Sequence, residues 1–125
     1  DKKFCSRIKK PQYGQQMLQK LSSYKVAINY HNKHTGDNAC NMRLFEATGL
    51  GCALITDHKS DLHEYFEIDS EVVEYNGVEE AIEKLSFLNE NPSFLEQVAI
   101  TGQKKCIEEH TTDKQIAKLI KFFDK

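Results

Sequence analysis

Two short apolar runs, Lys25-Val-Ala-Ile-Asn-Tyr30 and Gly51–Thr56, constrain this chain most. Each reads as a strand buried on both faces, because its apolar residues run on without polar alternation. Between them lie a polar loop, His31–Ala39, with Gly36-Asp37-Asn38 as its turn signal, and Asn41–Thr48, which reads as a short helix ended by Gly49. A third strand is expected at Val72, Val73 and Tyr75, closed by Asn76-Gly77. Strands alternating with helices imply βαβ units and a parallel sheet covered on both sides. The expected class is therefore α/β: a Rossmann-like three-layer domain with a small parallel sheet.

The remaining segments read as helical. Tyr13, Met17, Leu21 and Tyr24 recur at nearly helical spacing, which predicts a helix over 13–23. Ser60 or Asp61 is expected to cap a short helix through Tyr65. The carboxy-terminal helices span 78–123. One stripe joins Val78, Ala81, Ile82, Leu85 and Leu88. After Pro92 a second carries Leu95, Val98, Ala99, Gly102 and Cys106. Thr111 or Thr112 caps a last helix expected to bury Ile116, Leu119, Ile120 and Phe123. Residues 4–8 are a candidate edge strand.

A chain of 125 residues suits one domain, 1–125, with one core. Its 39% hydrophobic and 29% charged residues place it among globular chains. No run approaches the roughly 18 apolar residues of a membrane span. The start, Asp1-Lys2-Lys3-Phe4, resembles neither a signal segment nor an initiation site, so the expectation is a fragment of a longer protein. The net charge of −2 argues against nucleic acid as partner. It is unevenly spread: Lys2, Lys3, Arg7, Lys9, Lys10, Lys20, Lys25 and Lys33 are opposed up to that point only by Asp1. Such a region suits a diphosphate, an acidic partner or peripheral contact with an anionic membrane; a solvated face is the plainer reading. Cys5, Cys40, Cys52 and Cys106 form no C-x-x-C pair, which favours reduced thiols, no disulfide and a cytoplasmic setting.

In an open parallel sheet the ligand crevice lies beyond the carboxyl ends of the strands. That rule points to His31–Asn41, Asp57–Asp61 and Asn76-Gly77. The start of the helix after the first loop offers unpaired N–H groups to phosphate oxygens, with Asn41 at that start. Arg43 and Glu46, three apart, share a helix face: a carboxylate can accept from a ribose diol and an arginine can clamp a diphosphate. A surface ion pair worth about 0.3–0.5 kcal/mol explains the same two residues. Gly49-Leu-Gly51 precedes a strand and lacks a third glycine, so it is not a dinucleotide fingerprint. His31-x-x-His34 with Cys40 lacks a fourth metal ligand, and no metal is expected. Asp57 ends a strand without the partners that a phosphoacceptor aspartate needs.

The run Asn41-Met-Arg-Leu-Phe-Glu-Ala-Thr-Gly49, with Ala53-Leu-Ile-Thr-Asp57, Asp61-Leu62, Phe66 and Glu71-Val-Val73, resembles group 1 glycosyltransferases of the GT-B fold. The likeness is greatest to the branch containing spore-maturation-protein-like sequences. Val26-Ala-Ile-Asn-Tyr-His31, Gly102-Gln103 and His110-Thr111 are similar too, so it spans roughly residues 11–120. The resemblance implies the carboxy-terminal, donor-binding half of a two-domain enzyme. That enzyme would transfer a hexosyl group from a nucleotide-sugar to an acceptor hydroxyl on a glycan, lipid or protein, with retention. In this superfamily a Glu-x7-Glu pattern lies in the donor domain. Glu46 matches the second, ribose-holding Glu, and the first falls on Asn38, beside Asp37. Glu46, Arg43, Asn41, Asn38, Asp37 and His31 are the expected substrate-binding residues, with catalytic groups and acceptor supplied by the other domain and no cofactor. The fragment alone is expected to be inactive. A non-catalytic α/β module binding a nucleotide or a protein is the alternative.

Overall fold

The computed structural model describes residues 9–124. Three parallel strands, β1 (Val26–Asn29), β2 (Ala53–Asp57) and β3 (Val73–Tyr75), lie in the order β1-β2-β3. Val26 pairs with Ala53, Asn29 with Thr56, and Asp57 with Tyr75. The α-helices are α1 (Gly14–Leu21), α2 (Arg43–Gly49), α3 (Val78–Glu90), α4 (Pro92–Glu109) and α5 (Thr112–Phe123). Short 3-10 turns occur at Lys33–Thr35 and Leu62–Glu64. The Rossmann-like α/β architecture is as expected. The candidate strand at residues 4–8 lies outside the described residues.

Side chains alternate across a strand, and β2, buried along most of its length, feeds two cores. Leu54 points to the layer holding Ala27, Leu44, Ala47, Leu62, Phe66 and Cys106. Ala53 and Ile55 point to the other, with Val73, Tyr75, Ala81, Leu88 and Val98. Helix α4 belongs to both, contributing Val98 to one and Cys106 to the other. Between these residues lies Gly102, where an added Cβ would collide with the carbonyl oxygen of Glu71. Only glycine lets the helix come this close to the chain entering β3.

Four details differ from the sequence reading. The stripe on α3 is half covered: Ala81 and Leu88 are buried, whereas Val78 and Ile82 are exposed at the rim of an apolar crevice of about 500 Å³ shared with Ile28 and Tyr30. The four apolar residues of α5 expected to be buried are 49–74% exposed, because no element among the described residues lies against that face. The left-handed residue after α2 is Gly51 (φ 81°), while Gly49 remains helical and keeps room for the Cys106 sulfur. Asp61 makes no side-chain cap; its Oδ1 accepts from Ala39 N–H at 2.6 Å across the loops. No helix among the described residues is long and apolar enough to cross a membrane.

Candidate functional site

The carboxyl ends of all three strands meet in one polar network. Asn29, the last residue of β1, is buried, and such an amide needs partners for both its ends. Its Nδ2 donates to Thr56 Oγ1 (3.0 Å) and Asn41 Oδ1 (3.2 Å), and Asn41 Nδ2 donates back to Asn29 Oδ1 (2.9 Å). The Tyr75 hydroxyl donates to Asn29 O at 2.8 Å, joining β3 to β1. Asn41 Oδ1 also accepts from Leu44 N–H (3.2 Å), so Asn41 both starts α2 and pins it to β1.

Two residues beyond Asn29, His31 is 1% exposed. Its backbone N–H (2.8 Å) and ring Nδ1 (2.7 Å) both bond one oxygen, Asp57 Oδ1. A carboxylate has no proton to give, so Nδ1 is the donor in this contact. Among the described residues, Nε2 is buried without a hydrogen-bond partner. The other Asp57 oxygen stands 3.8 Å from Lys59 Nζ.

The loop before α2 turns at Gly36 (φ 61°) and leaves the Asp37 and Asn38 side chains exposed. Its backbone is held from across the crevice. Lys59 Nζ donates to Gly36 O (2.8 Å), Ser60 Oγ and N donate to Asp37 O (3.1 and 3.2 Å), and Asp61 holds the Ala39 amide.

On α2, Arg43 Nη1 and Glu46 Oε2 are 3.2 Å apart. The two side chains open onto different spaces. Arg43 reaches α1, where Nη2 lies 3.0 Å from Met17 Sδ, in a groove of about 540 Å³ that also carries Lys9, Lys10 and Lys20. Glu46 lines a cleft of about 490 Å³ with Ala39, Cys40, Phe45, Tyr65 and His110. The aromatic wall of this cleft is ordered by ring packing (Phe45 to His110, 5.0 Å between centroids) and by His110 Nε2, 2.9 Å from Tyr65 O. Burial pushes the Tyr65 phenol above its ordinary value, helped by the charges of Asp61 and Glu64.

Thus Glu46 and Arg43 are brought together, Asn41 is bonded into the strand ends, Asp37 and Asn38 are exposed on the loop with the Asn38 amide donating to Thr35 O (3.4 Å), and His31 is enclosed beside Asp57. His31, His34 and Cys40 do not converge: among the described residues no three His, Cys, Asp or Glu side chains are grouped to hold a metal ion. Asn29 and Thr56 were not singled out in the sequence, and Asp57 and Lys59 were included only as members of the segment 57–61, without a role in the site. Their signal was positional, since each lies at or just beyond the carboxyl end of β1 or β2.

Over residues 3–121 the chain matches the family described as glycosyl transferase-like. It belongs to that family. No curated protein matches it. Membership makes this glycosyl transferase-like domain part of a transferase system, with a sugar donor and an acceptor as its general partners.

Proposed function

We propose that this glycosyl transferase-like domain is the donor-binding half of a GT-B enzyme of the spore-maturation-protein-like branch, holding a nucleotide-sugar at the carboxyl ends of β1 and β2. The observation that carries this reading is the position of Glu46: half-buried, on the wall of a cleft beside the loop 36–41, with Arg43 alongside. In this reading the Glu46 carboxylate accepts from the ribose diol. Arg43 and the lysines of its groove lie on the side from which a diphosphate draws positive charge. Asp37 and Asn38 face the sugar.

The reaction is transfer of a hexosyl group to an acceptor hydroxyl with retention. Breaking the bond between the anomeric carbon and the diphosphate oxygen leaves charge on the diphosphate, and fixed cations and N–H groups stabilise it without reorganising. No metal ion enters this scheme. The acceptor reaches the donor from a second domain, whose closure excludes water as a competing nucleophile. The setting is the cytoplasmic side of a membrane, reached through the complete protein.

Titration of the full-length protein with UDP, GDP and ADP tests this reading. At least one should bind, and Glu46→Ala should weaken it roughly tenfold or more, the loss expected for a hydrogen bond to a charged group. The melting temperature should shift little, since Glu46 is part of neither core. Unchanged affinity removes Glu46 from the site.

A further inference from the structure

We infer that the five residues Asp57–Asp61 form a clasp that positions the loop 36–41 for the donor; the donor's part in this rests on the function proposed above. The loop turns through a left-handed glycine and exposes its two polar tips, and its own bonds are the long ones from Gly36 N–H to Lys33 O (3.4 Å) and from Asn38 N–H and Nδ2 to Thr35 O (3.3 and 3.4 Å). Here the segment after the next strand fixes it at three backbone points. Lys59 Nζ takes the Gly36 carbonyl, Ser60 takes the Asp37 carbonyl twice, and Asp61 takes the Ala39 amide. The clasp is itself anchored, because Asp57 Oδ1 accepts from the backbone N–H and the ring Nδ1 of enclosed His31. Lys59 also faces the Asp57 carboxylate, and its side chain is only 13% exposed, unusual for a residue type that normally trails into water.

The three grips touch only the loop's main chain. They leave the Asp37 and Asn38 side chains and the mouth of the Glu46 cleft free. This is the arrangement that preorganises a binding loop: ordering is completed before the ligand arrives, so binding loses less affinity to it. Lys59, Ser60 and Asp61 are therefore positioning residues.

Lys59→Met, Ser60→Ala and the double variant test this without deleting any bond to the amides that are read. Hydrogen exchange at the Asn38 and Ala39 amides of the full-length protein should quicken several-fold in each single variant and about tenfold in the double, with melting temperatures close to that of the parent. The affinity for whichever of UDP, GDP or ADP binds the parent should fall several-fold in the double variant. Exchange at the parental rate in all three, or faster exchange with parental affinity, overturns the clasp as a positioning device while leaving the donor reading intact. Absence of binding to the parent overturns the donor reading and the positioning role with it; the exchange rates then report only whether the grips hold the loop.

Discussion

Helices α4 and α5 both carry apolar stripes in sequence and meet opposite fates in the fold. Helix α4 sinks Val98, Gly102 and Cys106 into the domain, and its Gln103 Nε2 donates to Gly49 O at 3.1 Å, satisfying a carbonyl at the end of α2. Helix α5 has no buried residue, although its apolar side is the more sharply segregated. An amphipathic stripe states that a face is apolar; whether anything covers it depends on the length and direction of the connection before it. The lesson extends within a single helix, since α3 buries Ala81 and Leu88 and leaves Val78 and Ile82 in solvent.

The largest expected effect breaks the contrast at its strongest point. Gly102→Val should destabilise the domain by at least about 3 kcal/mol or prevent folding, because the new side chain meets the Glu71 carbonyl. Leu119→Ser on α5 should cost no more than about 0.5 kcal/mol in urea unfolding of this chain. A Leu119→Ser loss of core size would show that α5 is covered after all.

Next in size, Leu88→Ala should cost about 2–5 kcal/mol and Ile82→Ala less than about 0.5, which sharpens the same division inside α3. Tyr75→Phe removes the hydroxyl bonded to Asn29 O and should cost about 1 kcal/mol, read in the same denaturation experiment.

The smallest effects are read with thiols and pH. Burial pushes the Cys106 thiol above its ordinary value, against the opposing hydrogen bonds of Thr48 and Gly49, and burial raises Cys52 too. In the folded state both groups keep their protons to higher pH than in the unfolded chain. Their contribution to stability is thus intact below the unfolded value near 8.5 and is lost as pH rises through the folded values. Unfolding free energy should decline from about pH 8.5 upward, by less in Cys106→Ala than in the parent. Alkylation at neutral pH should label exposed Cys40 before Cys106, and a thiol introduced by Leu119→Cys should react as Cys40 does.

Strand β2 was legible because a strand buried on both faces leaves an unbroken apolar run, here Ala53 to Ile55, whereas β1 shows the same kind of run with one face open, Ile28 being 55% exposed. Helix α2 was legible through Asn41 and the glycines behind it, although Gly51 rather than Gly49 takes the left-handed turn, since Gly49 is needed small against Cys106. The pairing of Arg43 with Glu46 followed from helical spacing alone. The Asp57–His31 contact was hidden because it joins residues 26 apart in sequence through strand register, which a single chain does not display. Asp61 looked like a helix cap for the same reason: the amide it holds, Ala39, comes from another strand's loop.

The passage of α4 through both layers has a consequence for how the domain comes apart. One helix cannot leave one core and stay whole in the other, so the two sides of the sheet are expected to melt together. Loosening on the Glu46 side would then be felt at Val98, and the domain would behave as a single cooperative unit despite its divided interior.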